Sequence, residues 1–311
     1  VLAYIIGRDL AWDTQMMGWL NAVRGKARSG VHAPHQLVDA RVWLDEMRLV
    51  KDGHELALMR RAAEISTRAH GVAMRATRPG RHEYEIEAEM LCAFRSGGAE
   101  APAYTSIVAS GANACVLHYV FNNKPLRDGD LLLIDAAAEF GSYAADITRT
   151  FPVNGRFSAA QKDAYELVLA AQAAAIGAVR PGSHWNAPHE AAVRVLTQGM
   201  VELGLLQGEV DGLIESEAYK RFYMHRTGHW LGMDVHDAGE YKLKGAWRPL
   251  VPGMTLTVEP GLYIRPADDV PEALWNLGIR IEDDVAVTDS GCEVLTSPPR
   301  TVAEIESWMR G

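Results

Sequence analysis

The chain has 311 residues, of which 48% are hydrophobic and 23% charged, and its formal net charge is −9. This apolar content is enough for one large packed domain or two, whereas the negative charge argues against nucleic acid or an anionic membrane as the main partner. No apolar run reaches the length of a membrane-spanning helix. The three widely spaced cysteines match no metal-binding pattern and fit a reducing compartment, so we expect a cytoplasmic protein.

The first 49 residues combine a strand-like opening, VLAYIIG, with helical patterns around residues 16–23 and 40–47. About 50 residues is the lower limit for an independent domain. We therefore interpret residues 1–49 as the remnant of an N-terminal α/β domain, smaller than the domain that residues 50–311 form. Because Val1 opens directly in an apparent strand, we do not expect it to be the natural start of the protein.

Helical patterns recur in two pairs along the rest of the chain. Apolar residues return at steps of three and four, which is the periodicity of one helix face. Ser158 and Gln161 form a capping box at the start of the third helix, and an Arg-Pro-Gly sequence ends the first and third helices. The predicted helices cover residues 58–76, 83–95, 159–179 and 187–203.

The strands that follow each helical pair also correspond. A glycine turn precedes LLLID and another precedes TLTVE, and the offset from Gly129 to Gly253 equals that from Asp135 to Glu259, 124 residues. The chain is therefore predicted to contain two related α+β halves around a pseudo-two-fold axis. Each half would bring a strand that ends in a carboxylate to a shared cleft.

Five acidic and imidazole side chains are predicted to line this cleft, because each stands at the end of a strand pattern or along one: Asp135, Asp146, His229, Glu259 and Glu282. Four oxygen donors and one nitrogen suit hard or borderline divalent ions, Mn²⁺ above all, with Zn²⁺, Co²⁺ or Fe²⁺ as alternatives. Two such ions held about 3.5–4 Å apart can activate water and polarise a carbonyl, which is the chemistry of peptide hydrolysis.

Each of these residues also has a simpler explanation. Asp146 could form a salt bridge with Arg149, and Glu282 could belong to a solvated acidic run with residues 283–284. Taken singly, the simple and the metal-binding interpretations are about equal. Five matching contexts together favour the metal site.

Four histidines cluster near the predicted site: His118, His225, His229 and His236. The spacing of four between His225 and His229 would suit a helical metal motif, but the nearby glycines Gly228 and Gly232 favour a loop or strand. We therefore interpret one histidine as a ligand and the others as groups that contact substrate or support the site.

Four long strings carry a specific resemblance: LLIDAAAEFGSYAADITRTFPVNGRFS, MHRTGHWLGMDVHDAG, PGMTLTVEPGLYI and GIRIEDDVAVT. They resemble the proline-specific aminopeptidase P family and, more broadly, the pita-bread metallopeptidases, which include prolidase and methionine aminopeptidase. The resemblance runs from about residue 50 to the end of the chain. It implies an α+β pita-bread domain that binds two Mn²⁺ ions.

Matched by position, the resemblance also implies how the ligands are shared. Asp135 would bind one ion, Asp146 and Glu282 would bind both, and His229 and Glu259 would complete the other. Glu259 resembles the general base of the family. The sequence has Asp135-Ala-Ala where the family often has Asp-Ala-Gly, a change that should not remove a ligand.

Five further groups resemble residues that act on the substrate. His236 would face the scissile carbonyl, and His225 would support the site or transfer protons. His118 and Tyr104 resemble residues that line the substrate pocket, and Arg280 resembles an arginine that steadies the carboxylates.

The expected activity is removal of the N-terminal residue from peptides with proline in second position, by a homodimer or homotetramer. The main alternative is a prolidase, which cuts only Xaa-Pro dipeptides and needs a cation for the terminal carboxylate; Arg265 is a candidate for that cation. A creatinase-like enzyme or a non-catalytic relative is a third possibility, but such a protein would have lost ligands, and none is missing here.

Overall fold

The computed structural model describes residues 1–310, and the chain divides into two compact units, Val1–Arg48 and Leu49 to the end. The helices are α1 (Leu10–Arg24), α2 (Arg41–Leu49), α3 (Gly53–Ala76), α4 (Glu83–Ser96), α5 (Ala159–Ala178), α6 (Ala187–Glu202), α7 (Val210–Glu215) and α8 (Val302–Arg310). The interpretation of the first unit as a domain remnant stays a prediction.

The strands are short, and most of them are antiparallel. They are β1 (Leu2–Tyr4), β2 (Leu37–Asp39), β3 (Ala101–Pro102), β4 (Ile107–Ser110), β5 (Leu131–Asp135), β6 (Ala138–Phe140), β7 (Tyr143–Ala144), β8 (Thr148–Pro152), β9 (Lys242–Leu243), β10 (Ala246–Trp247), β11 (Thr255–Val258), β12 (Gly261–Ile264), β13 (Leu277–Arg280), β14 (Asp283–Val287) and β15 (Cys292–Val294). In the first unit, β1 and β2 form a parallel pair, and the Asp9 side chain caps α1 by accepting from the backbone N–H groups of Ala11 and Trp12.

The predicted helical pairs of the second unit are confirmed. Asp52 and Glu55 form a capping box at the start of α3, as Ser158 and Gln161 do at the start of α5. Both helices end before their Arg-Pro-Gly sequence, because proline cannot donate to the helical ladder. The Ser158–Gln161 capping box and the Arg-Pro-Gly sequences explain why the start of α5 and the ends of both helices could be predicted. The start of α3 was predicted less well, at residue 58 instead of Gly53.

Two three-stranded antiparallel sheets follow the helical pairs, with strand orders β4-β5-β8 and β11-β14-β15. The repeat extends to single hydrogen bonds. Gly80 donates its N–H to the carbonyl of Leu126, and Gly182 donates to Leu250, both at 2.9 Å. In each half, the same backbone hydrogen bond thus joins the glycine after the first long helix to the segment before β5 or β11, as the internal repeat predicts.

Close backbone packing joins β13 to the residue 111–115 turn. A Cβ at Gly278 would lie 2.3 Å from the backbone carbonyl carbon of Ala114, whereas one at Gly177, on the exposed face of α5, would meet nothing within 4 Å.

We expect Gly278→Ala to lower the free energy of unfolding by about 1–3 kcal/mol, since the backbone must shift. The matched change Gly177→Ala should raise it by about 0.5–1 kcal/mol, because alanine loses less conformational freedom in a helix. Denaturant midpoints at constant slope measure both. Equal stabilities of the two variants would contradict the packing described here.

Among the described residues, no helix is both long and apolar enough to cross a membrane.

Candidate metal centre

The two sheets bring all five predicted ligands to one cavity of about 480 Å³, here called the central cavity. Asp135 is the last residue of β5, and Glu259 directly follows β11. Glu282 lies between β13 and β14. The prediction that Asp146 lies on a strand is wrong, because Asp146 lies in the link between β7 and β8. His229 lies in an irregular segment, as its glycine neighbours indicated.

Three of the five form a compact group. One ligand atom each from Asp146, His229 and Glu282 all lie within 4.8 Å of one another. His229 Nε2 is 3.3 Å from Asp146 Oδ2 and 3.8 Å from Glu259 Oε1. His229 Nδ1 donates to the Trp230 carbonyl at 2.9 Å, so in the neutral ring the lone pair is on Nε2 and points to the acids.

The carboxylates repel one another in this buried setting. Burial, with the nearby charges of Asp146 and Asp135, raises the pKa of Glu259 to about 7 against the pull of His229 and Arg280. Burial and the charge of Asp146 raise the pKa of Glu282 well above its usual value. Burial also raises the pKa of Asp135. Two buried and two partly buried acids around one histidine therefore fit divalent cations, which would neutralise them and accept their lone pairs.

Arg280 and Tyr104 hold the acids in place. The Arg280 Nη2 donates to Asp135 Oδ2 at 2.6 Å and its Nη1 to the Tyr263 hydroxyl at 2.9 Å. The Tyr104 hydroxyl lies 2.6 Å from Oδ1 of both Asp135 and Asp146. Tyr104 thus contacts only the Oδ1 atom of each aspartate. The other carboxylate oxygen of Asp146, Oδ2, lies beside His229.

Sequence reasoning missed Thr148, which is fully buried beside the site. Its hydroxyl donates to Glu282 Oε2 at 2.6 Å and accepts from Arg280 Nε at 3.1 Å. The available signal was the spacing of Asp146, Thr148 and Thr150, which are polar at every second position, with Ala145, Ile147 and Arg149 at the alternate positions. Such residues share one face of an extended chain.

The two simpler interpretations of the acidic residues are wrong. Arg149 pairs with Asp283 at 2.7 Å, with both side chains buried, and not with Asp146. Residues 283–284 are buried rather than solvated. Asp284 Oδ2 accepts from the Asp146 backbone N–H at 3.1 Å and so helps to position Asp146.

Three further histidines line the central cavity, as predicted: His118, His225 and His236. The His225 Nδ1 donates to the Arg226 carbonyl at 2.7 Å, and its Nε2 is 2.8 Å from the Tyr263 hydroxyl. Because Nδ1 carries the proton of the neutral ring, Nε2 accepts from the Tyr263 hydroxyl, which itself accepts from Arg280. Burial and the charge of Arg280 lower the pKa of His225 to about 3 and keep the ring neutral. The His236 ring lies 4.3 Å from that of His229.

An aromatic wall completes the central cavity and was also not predicted. It consists of Trp185, Tyr241 and Trp247, with the Arg226 guanidinium 5.2 Å from the Trp247 ring centre. Trp185 and Tyr241 pack with their ring centres 4.7 Å apart. The cavity thus has one acidic side and one aromatic side.

Comparison with known proteins identifies the family of this chain. Metallopeptidase family M24 matches residues 57–289. The chain is 51% identical over 275 residues to a Haemophilus influenzae Xaa-Pro aminopeptidase, covering 88% of this chain and 64% of the relative. It is 47% identical over 291 residues to the Escherichia coli Xaa-Pro aminopeptidase, covering 93% and 66%. The chain therefore spans about two thirds of the length of these relatives.

A solved structure gives the same result for the fold. The Pseudomonas aeruginosa aminopeptidase PepP superimposes with a TM-score of 0.97 at 56% identity, covering 99% of this chain and 70% of that one. The predicted α+β pita-bread fold is thereby confirmed. With a family match across three quarters of its length and this shared fold, the chain belongs to metallopeptidase family M24.

Proposed function

We propose that the protein is a metal-dependent Xaa-Pro aminopeptidase, which removes the N-terminal residue from peptides with proline in second position. The observation that carries this proposal is the convergence of five ligand-type side chains and three neighbouring histidines in the central cavity. The similarity to Xaa-Pro aminopeptidases along most of the chain supports the same activity.

The proposed cofactor is a pair of Mn²⁺ ions, with Zn²⁺, Co²⁺ or Fe²⁺ as alternatives, because four carboxylates and one imidazole suit such ions. Asp135 would bind one ion, His229 and Glu259 the other, and Asp146 and Glu282 both. When bound, the ions would activate water and polarise the scissile carbonyl.

Side chains of the protein carry out the remaining steps. Glu259 takes a proton from the attacking water as general base, and its Oε2 lies 3.7 Å from His225 Nδ1. His236, beside His229, contacts the scissile carbonyl. His118 lines the pocket for proline, while His225 and Tyr263 relay a proton toward the leaving nitrogen.

Such a site suits proline because an Xaa-Pro bond is a tertiary amide without an N–H. Proteases that hold substrate as a strand need that donor. Here Tyr104 and Arg280 fix the acids, so the reacting groups are positioned without a hydrogen bond from the scissile nitrogen. A free α-amine near the carboxylates explains removal of a single residue.

The prolidase alternative depends on a cation that reaches the proline carboxylate. Arg265, the predicted candidate, does not line the central cavity; its Nη2 donates to the Cys115 carbonyl at 2.8 Å. Arg226 does line it, but on the aromatic side, where its guanidinium packs over the Trp247 ring and donates to Asn186. These contacts favour the aminopeptidase.

We further propose a cytoplasmic homodimer or homotetramer that acts on peptides and not on nucleic acid or membranes. Its three cysteines are free, which suits a reducing compartment. The negative net charge fits the absence of polyanionic partners.

Substrate length tests the activity. With Mn²⁺, the protein should cleave Xaa-Pro-Xaa at least as well as Xaa-Pro, measured as kcat/KM, and chelation should abolish both reactions. A preference of tenfold or more for the dipeptide, about 1.4 kcal/mol of transition-state binding, would establish the prolidase instead. Cleavage that persists after complete metal removal would reject both.

A further inference from the structure

A second cavity of about 450 Å³ adjoins the central one. We call it the outer cavity; its walls include Val116, Leu117, Phe222, Met224, Tyr263 and Arg265. Its volume lies within the roughly 300–1,000 Å³ range of small-molecule binding sites.

The two cavities share walls. The Leu117 side chain lines both, and the ring of Tyr263 lines the outer cavity while its hydroxyl contacts His225 in the central one. Two chain segments, residues 115–118 and 222–225, run from one cavity to the other. Each segment gives apolar side chains to the outer cavity and a histidine, His118 or His225, to the central one.

Two arginines line the outer cavity, Arg221 and Arg265, and they differ in their hydrogen-bond partners. Arg221 is held by Asp269 through two hydrogen bonds of 2.6 Å. Arg265 makes one hydrogen bond, to the Cys115 carbonyl at 2.8 Å, and no carboxylate within residues 1–310 forms an ion pair with it. A guanidinium has five N–H donors in a planar fork that matches a carboxylate, so Arg265 has donors left for an anion.

We propose that the outer cavity binds the part of a peptide that follows proline, with the Arg265 guanidinium donating hydrogen bonds to a carboxylate of that part. The proposal rests on the proposed aminopeptidase function. The free amine and the scissile bond occupy the acidic side of the central cavity, and the chain beyond proline must leave past His118 and His225, where the outer cavity begins. The carboxylate comes either from the chain terminus or from an aspartate or glutamate side chain.

The direct test is the effect of Arg265→Gln on peptides that differ only in that charge. For Ala-Pro-Leu with a free terminus, KM should rise about two- to fivefold, the range for an exposed ion pair, with kcat unchanged. Ala-Pro-Leu-amide and the dipeptide Ala-Pro should show no change. Ala-Pro-Leu-Asp-amide carries a carboxylate only on its aspartate side chain. If Arg265→Gln raises the KM for this peptide, the side chain is a source of the carboxylate; if the KM rises only for Ala-Pro-Leu, the source is the terminus. Arg265→Glu should reverse the preference, so that lysine replaces aspartate as the favoured residue.

Two variants provide comparison. Arg221→Gln removes a cation from the same cavity that is already neutralised, so it should keep the preference for a free carboxylate. If Arg226→Gln removes that preference and Arg265→Gln does not, the carboxylate binds in the central cavity and the proposal is overturned.

Binding measurements separate this proposal from the proposed function. Calorimetry of the Mn²⁺-loaded protein should show tighter binding of Pro-Leu than of Pro-Leu-amide, and Arg265→Gln should remove the difference. Absence of the difference in the unaltered protein overturns the outer-cavity site even if peptides are cleaved. Presence of the difference without any cleavage keeps the site and rejects the aminopeptidase.

Discussion

Glu282→Gln and Asp146→Asn should each abolish peptide hydrolysis and release bound metal. Both carboxylates are proposed to contact both ions, and each is at most 5% exposed, so water cannot easily replace the lost ligand. The loss of metal affinity should exceed the about 10–100-fold loss that follows mutation of residues which only orient a ligand. Metal analysis after gel filtration, beside kcat/KM, measures both effects.

The same variants should remain folded without metal. Removing one negative charge from a buried group of four acids relieves repulsion, so the unfolding temperature of the metal-free variants should equal or exceed that of the unaltered protein. Asp163→Asn, which removes the same charge from the exposed face of α5, is the control and should keep metal and activity. Full metal occupancy in Glu282→Gln would reject its place in the ligand set.

His236→Ala should lower kcat by about 10²–10⁴, the usual range for a positioned acid or base, while metal content stays unchanged. His236 lines the central cavity beside His229 but lies outside the group formed by Asp146, His229 and Glu282. Metal content and kcat measured on the same preparation separate the two roles. Loss of metal in this variant would make His236 a ligand.

Two further histidine variants define the comparison. His225→Ala should also keep its metal and lose kcat, because His225 acts through Tyr263, which bonds to its Nε2. His54→Ala changes an exposed histidine in the first turn of α3 and should have full activity. Similar losses in His54→Ala and His236→Ala would show that the effect is general destabilisation.

The sequence alone predicted most of the helix ends in the second unit, the internal repeat and the acidic and imidazole side chains that meet in the central cavity. Capping residues, Arg-Pro-Gly stops and strand-end acids are local signals, in which a few neighbouring side chains decide the structure. Asp135 and Glu259 could therefore be placed at their strand ends from an offset of 124 residues. The resemblance of four long strings then indicated the family and suggested the roles that are proposed for the histidines.

Only the tertiary structure decided which partners these side chains have. Arg149 bonds to Asp283 and Thr148 to Glu282, each across 134 residues. Arg265 lies in the outer cavity, although its charge alone suited the central one. The physical reason is register: hydrogen bonds between β8 and the β13–β14 segment, such as Glu282 N–H to the Thr148 carbonyl at 3.1 Å, set which side chains face one another. A shift of one residue would turn each of them to the opposite face.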